Sequence, residues 1–447
     1  MQAVNWQQFG LKSNPYNNAP LIEGSELPIR KAFVGRKKER EFLNSLFASE
    51  NRLCLTICGD VGVGKTSLAN FHKFTWKYHN EQKLLFSFRG EIEACDDLLN
   101  KKSFLIEIIG SILREIKLLE PNLLNNKLLA SLSRVVDISQ TIAISGGIAG
   151  INLGINKTPT QPIQLSTTIL EEYFVSLVDF IKNNKIENKK YSGIIVHVNN
   201  FDTVLPDSKK RVINFFNEIR DMSQLRDVYY LFLGPRNLFK DIISTQQRVR
   251  SIFHQAPLNI NPLSKKEIIT AFDERMKLLQ SNNISKYIKP IKDEAIFRLY
   301  DIHRGDIREI MSYVGMILKQ CSDKLTGSLS IDKSMLLLGE ALWEQIQMNV
   351  NLTEEQEVVL NYLIEKDKVS QKEIADLFKK DRANISRYYF KPLINEEIIE
   401  EKEKIGNTPY WGLTSKYIPL KWFVESRKKL RQNVENESGQ LSLKLEG

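Results

Sequence analysis

The segment Gly59-Asp60-Val61-Gly62-Val63-Gly64-Lys65-Thr66 constrains this chain more than any other. It fits GxxxxGK[ST], follows the apolar run Leu53 to Cys58, and opens the helix-like pattern Ser67-Leu68-Ala69-Asn70. In a strand–loop–helix setting the glycines let backbone N–H groups turn toward phosphate oxygens through conformations that a Cβ obstructs, while the helix N-terminus adds its positive end. Lys65 is expected at the β- and γ-phosphates, and Thr66 offers a hydroxyl to Mg²⁺. The candidate nucleotide-binding residues are therefore Gly59, Asp60, Val61, Gly62, Val63, Gly64, Lys65, Thr66 and Ser67, with ATP and Mg²⁺ as the expected ligands.

The chain has 447 residues, which implies two or three domains of roughly 100–200 residues each. Short apolar runs recur at Lys83 to Phe88, Ser192 to Val198 and Val228 to Leu233. Between them Phe104 to Leu119, Ile169 to Ile181 and Lys210 to Met222 show helical periodicity, giving the β-then-α alternation of a doubly wound sheet. From Pro262 the strands cease, and Ser264 to Leu279, Asp293 to Leu299, Ile307 to Lys319 and Asp332 to Met348 read as helices. Beyond Asn351, Thr353 with Gln356 and Ser370 with Glu373 each make a capping-box pattern ahead of short helices and a two-stranded segment. The expected fold is an α/β P-loop NTPase core with a helical lid and a C-terminal winged helix. The expected boundaries are an N-terminal arm over 1–30, the core over 31–262, the lid over 263–349, winged helix plus basic helix over 350–431, and a tail over 432–447.

Hydrophobic residues make up 42% and charged residues 26%, which excludes a disordered chain. Cys54, Cys58, Cys95 and Cys321 lack paired CxxC spacing and are too few for a disulfide framework. No stretch approaches the ~18–20 unbroken apolar residues of a membrane span, and the opening Met1-Gln2-Ala3-Val4-Asn5-Trp6 is no signal peptide, so a cytoplasmic protein is expected. The formal charge of +9 is modest for this length and selects no partner.

The metal and water partners of such a loop belong at the end of a second apolar strand, and Ile194-Ile195-Val196-His197-Val198-Asn199-Asn200-Phe201-Asp202 is the candidate. Both places where carboxylates are wanted carry asparagine, and an amide brings no negative charge and takes no proton. Asn199 and Asn200 thus put hydrolysis in question while leaving binding intact. Asp202 either supplies the missing charge, as a metal-side residue, or caps the next helix. His197 reads as a core or helix-facing residue.

Together these motifs resemble an AAA+ ATPase of the origin-recognition and replication-initiator group, over about residues 14 to 422. Gly35-Arg36-Lys37-Lys38-Glu39 is similar to that group's GRxxE segment, which packs near the adenine, and Val228 to Asn237 to its sensor 1 strand, with Arg236 and Asn237 both open as the polar residue. Gln247 to Phe253 resembles the box bearing the arginine finger. Ile252 stands where relatives place that arginine, which leaves Arg248 or Arg250, or no finger at all. Gly305-Asp306-Ile307-Arg308 looks like sensor 2, which implies that Arg308 reaches the γ-phosphate. The resemblance implies homo-oligomers and a nucleotide-controlled switch.

Arg382, Asn384, Ser386, Arg387, Tyr388 and Lys391 cluster on the third helix of the winged-helix pattern, donors suited to phosphates and base edges, so Arg382, Asn384, Arg387 and Lys391 are the candidate DNA contacts. Lys421, Arg427, Lys428, Lys429 and Arg431 form a basic helix nearby, with a solvated face as the alternative. Residues 142–157, with Ile151, Leu153 and Ile155 alternating, suggest a Gly-rich hairpin insert or a covering loop. The leading expectation is an ATP-binding, DNA-binding switch with slow or partner-dependent hydrolysis. A signalling or defence ATPase with a protein partner, and a transposition or plasmid-maintenance ATPase, stay open beside it.

Overall fold

The computed structural model describes residues 4–147, 166–254, 256–282, 284–321, 327–350 and 352–429. The chain divides into two compact units, one of residues 19–263 and the other of residues 1–18 with 264–447.

In the first unit, β1 (Leu53–Gly59), β2 (Phe86–Ser87), β3 (Ile92–Glu93), β6 (Ile194–Asn199), β7 (Val228–Gly234) and β8 (Leu258–Ile260) form one sheet, while β4 (Lys185–Ile186) and β5 (Lys189–Lys190) pair as a small separate ribbon. The order is β2-β6-β7-β1-β8, every pairing in it is parallel, and β3 joins β6 along the same edge as β2. The helices are α1 (Ile29–Ala32), α2 (Lys37–Ser49), α3 (Lys65–Tyr78), α4 (Lys101–Leu119), α5 (Lys127–Gly147), α6 (Thr167–Asn183), α7 (Phe201–Glu218) and α8 (Gln247–Arg250).

Alternate residues of the central strands serve opposite faces. Tyr230 and Phe232 of β7 join Ile108, Phe174 and Phe215 of α4, α6 and α7, whereas Tyr229, Leu231 and Leu233 join Leu43, Leu68 and Trp76 of α2 and α3. With both faces covered, β1 and β7 are buried at every position, which is why they read as unbroken apolar runs.

Two expectations from periodicity shift. Helix α7 starts at Phe201, not near Lys210, because Pro206 and a kink at Ser208 (φ −124°, ψ 28°) interrupt the apolar period. Residues 142–147 of the expected hairpin insert form the last turns of helix α5, and the rest, 148–157, lies outside the described residues.

The second unit contains α9 (Lys265–Leu279), α10 (Asp293–Ile302), α11 (Ile307–Gln320) and α12 (Ile331–Val350). Residues of the N-terminal segment are built into it: Phe9, Leu11 and Tyr16 are buried, Lys12 N–H donates to the Leu279 carbonyl at 2.7 Å, and Arg275 donates to the Asn17 carbonyl at 2.8 Å. There follow α13 (Glu354–Lys366), β9 (Val369–Ser370), α14 (Gln371–Phe378), α15 (Arg382–Asn384), a wide-turn segment Ile385–Phe390, α16 (Lys391–Asn395) and the antiparallel pair β10 (Ile399–Ile405) and β11 (Thr408–Leu413), with β9 on the outer edge of β11. Both capping boxes form, Thr353 with Gln356 and Ser370 with Glu373. Residues 420–429 are helical. Among the described residues no helix is long and apolar enough to cross a membrane.

Candidate functional site

The loop between β1 and α3 requires glycine at three points. Gly62 and Gly64 have φ of +75° and +91°, and a Cβ on Gly59 would lie 2.6 Å from the Ile260 carbonyl of β8. Lys65 opens α3 and is buried, its Nζ donating to the carbonyls of Gly59 at 2.7 Å and Asp60 at 3.0 Å. Arg36, itself at φ +60°, braces the loop from outside by donating to the Val63 carbonyl at 2.6 Å and to Glu39 at 3.2 Å.

The carboxyl end of β6 faces this loop. Asn199 donates through Nδ2 to Thr66 Oγ1 at 3.0 Å, and Asp202, in the first turn of α7, lies with Oδ2 3.4 Å from Lys65 Nζ. Asp202 is not the cap of α7; Asn200 holds that place, at φ +66° and without a side-chain cap bond. His197 is buried on the face shared with Ile195, and burial holds its imidazole well below the usual range, hence neutral.

Sequence reasoning missed Glu91. Its Oε1 accepts the second N–H of the Asn199 amide at 3.1 Å, so one side chain links a carboxylate to the loop threonine. The Arg89-Gly90-Glu91 connection is held from two helices: Lys73 of α3 donates to the Gly90 carbonyl at 2.5 Å, and Glu115 of α4 accepts from Arg89 N–H at 3.0 Å and from Lys77 at 2.6 Å. Burial pushes the Lys73 ammonium down to about 7, opposed by the charge of Glu91. The only signal in the sequence is an acidic residue shortly after an apolar run.

Of the two residues left open after β7, Arg236 reaches the loop, donating through Nε to Asp60 Oδ1 at 2.8 Å, while Asn237 pairs with Asp241 at 3.1 Å. The Arg236 bond lowers the Asp60 carboxyl below its ordinary value. Ile252 packs against the core. Arg248 and Arg250 are exposed, and neither side chain forms an ion pair among the described residues. Arg308 is exposed in the first turn of α11, in the other unit, where Asp306 caps the helix by accepting from the N–H groups of Arg308 and Glu309.

Among the described residues no cluster of three His, Cys, Asp or Glu could by itself hold a metal. The donors present, the Thr66 hydroxyl with the Glu91 and Asp202 carboxylates nearby, instead suit Mg²⁺, which takes few protein oxygens and completes its shell with phosphates and water. Thr66 follows β1 and Asp202 follows β6, at the carboxyl ends of these parallel strands, while Glu91 directly precedes β3 on the outer side of β6.

In the last domain Arg382, Asn384, Arg387, Tyr388 and Lys391 are exposed along the third helix, while Ile385, Tyr389, Phe390 and Leu393 face inward. The basic helix is partly neutralised: Lys428 pairs with Glu365 at 2.8 Å, and Lys421 pairs with Asp367.

The parallel sheet, the glycine loop after β1 and the lysine opening α3 define the fold of a P-loop NTPase. The chain is similar to the ORC2 protein of Aeropyrum pernix, solved as ADPNP–ADP complexes, at 13% identity over 95% of this chain and 100% of that one, with a TM-score of 0.47. It is also similar to Aeropyrum pernix ORC1 in complex with DNA (12%, covering 91% and 97%, TM-score 0.43) and to Cdc6p from Pyrobaculum aerophilum (13%, covering 90% and 99%, TM-score 0.38). No family model matches the chain, and no curated protein does.

Proposed function

We propose that this chain is an ATP-binding AAA+ protein of initiator-like architecture that contacts DNA through a winged helix. In this reading its nucleotide state controls DNA engagement or self-association, and hydrolysis is slow or depends on a partner. The observation that carries the proposal is the loop itself: Gly62 and Gly64 at positive φ, with Lys65 and Thr66 at the head of a helix of the central sheet. Lys65 and the loop N–H groups would hold the phosphates, and Thr66 the hydroxyl side of Mg²⁺. Bound Mg²⁺ supplies charge neutralisation between phosphate oxygens. Asn199 orients Thr66, Arg236 holds Asp60 at the loop's edge, and Arg308 and Arg250 are proposed to meet phosphate from the lid and from a neighbouring copy.

The exposed row of Arg382, Asn384, Arg387 and Lys391 supports a polyanionic partner. One observation favours a protein partner instead: the exposed side of β10 carries three carboxylates, Glu400, Glu401 and Glu403, against the two ammonium groups of Lys402 and Lys404, a weak surface to lay against phosphates.

Calorimetric titration with Mg-ATP, followed by DNA binding across a salt series, tests both parts. Lys65→Ala is expected to weaken nucleotide binding about 10–100-fold, since a charged hydrogen bond contributes about 1.5–3 kcal/mol. Arg382→Ala with Arg387→Ala is expected to lower the salt slope of DNA affinity by about one unit for each of the two arginines that neutralises a phosphate. Unchanged nucleotide affinity sinks the loop assignment, and an unchanged slope moves the DNA surface elsewhere. Absence of DNA binding at low salt favours the protein-partner reading.

A further inference from the structure

Asn199 stands at the end of β6 where a phosphate loop's magnesium partner needs a carboxylate, and its amide has no charge to give. Both of its N–H donors are engaged, one by Thr66 Oγ1 at 3.0 Å and the other by Glu91 Oε1 at 3.1 Å. Glu91 sits next to β3, which pairs with β6 through Ile92 to Val198 and Glu93 to Asn199, so the two chain ends are in register. It is not a stray surface residue. The Lys73 bond to Gly90 and the Glu115 bond to Arg89 fix the backbone on its N-terminal side, and its carboxylate is only about a quarter exposed.

We propose that Glu91 supplies the negative charge which β6 lacks, acting as the positioning carboxylate for the Mg²⁺ of a bound nucleotide, with Asn199 the neutral bridge that aims it at Thr66. The inference rests on the nucleotide reading above. It also accounts for the asparagine. An aspartate at 199 would set two carboxylates within hydrogen-bond distance of one another, and like charges so placed repel and raise the pKa of one of the pair. One charge and one amide leave the β3–β6 pair itself with a single negative charge, moved from one strand to its neighbour.

The test is nucleotide affinity, with no turnover needed. Binding of a non-hydrolysable ATP analogue is measured in EDTA and across a Mg²⁺ titration for the parent chain, for Glu91→Gln, and for Glu91→Gln combined with Asn199→Asp. Groups that orient a metal's direct ligands typically account for about 10–100-fold in metal affinity. Glu91→Gln is therefore expected to raise the Mg²⁺ midpoint at least tenfold while binding the analogue in EDTA as well as the parent does. The double variant, which returns a carboxylate to β6, is expected to recover most of that loss. A Mg²⁺ midpoint unmoved by Glu91→Gln, in a parent that shows Mg²⁺-dependent binding, overturns this inference alone. A shifted midpoint that Asn199→Asp fails to recover overturns the charge-exchange account. A parent that binds no nucleotide with or without Mg²⁺ overturns the loop reading and this inference with it.

Discussion

His72 lies on α3 one residue from Lys73, fully buried, with Phe71 5.5 Å and Phe47 6.2 Å away by ring centroid and, among the described residues, no hydrogen-bond partner on either ring nitrogen. Burial and the nearby Arg40 charge push its pKa down to about 3. The folded pKa is below the unfolded one, so between the two the unfolded chain binds the extra proton. Stability is complete above the unfolded value and falls as pH drops through that window, by about 1.4 kcal/mol per unit from this one group. His72→Phe is expected to flatten the pH dependence of the urea midpoint between pH 6 and pH 4.5 by the equivalent of one proton. Parallel curves for the two proteins would show that His72 does not set that slope. The same residue-scale view explains what was legible in the site. The nine loop positions are contiguous and announce themselves, whereas Glu91 is 108 residues from Asn199 and meets it only through a two-residue strand. Spacing alone leaves Arg236 and Asn237 equivalent; the 2.8 Å bond to Asp60 separates them.

The third helix of the last domain shows how an element is shaped by one missing donor. Pro392 has no N–H, so the Tyr388 carbonyl one turn earlier loses its ordinary partner, and the backbone opens into wide turns over Ile385–Phe390. Gln356 of α13 fills the gap: its Nε2 donates to the Tyr388 carbonyl at 2.6 Å while its Oε1 accepts from Thr353 N–H at 2.8 Å to complete the capping box. Gln356→Glu keeps the acceptor and removes the donor, and is expected to cost about 0.5–1.5 kcal/mol in thermal or urea unfolding of this domain. A neutral result would mean that water satisfies the carbonyl equally well. Capping boxes and apolar periods made these helices readable in advance. The wide turn was not readable, because it depends on a side chain 32 residues away. Long elements with one buried stripe were found within a few residues, while α7 was misplaced at its start where Pro206 and the Ser208 kink break the stripe.

At the scale of the whole molecule, the parts that speed phosphate transfer are unevenly supplied. Lys65, Thr66 and Arg236 gather at the loop, but β6 ends in one amide, Asn199, with a second, Asn200, next to it, and the position after Ser251 is an isoleucine packed against the core. A trans arginine in related chemistry is worth about 10³–10⁵ in rate. The chain alone is therefore expected to hydrolyse ATP far below ~1 s⁻¹, the lower end of ordinary enzyme turnover, in a steady-state phosphate-release assay. Turnover at or above that rate would refute the switch reading and bring Asp202 and Arg250 forward as replacements, to be checked by Asp202→Ala and Arg250→Ala.

Residues 1–18 belong to the same compact unit as 264–447, so the backbone crosses between the two units twice, once after Asn18 and once after Leu263. During synthesis the first buried side chains, Phe9, Leu11 and Tyr16, precede their partners around Arg275 and Ile288 by some 260 residues. At about 5–20 residues per second they wait on the order of tens of seconds, long enough for the intervening sheet to fold first. Phe9, Leu11 and Tyr16 therefore remain without their native partners throughout that interval, a delay set by chain order and not by the strength of their packing.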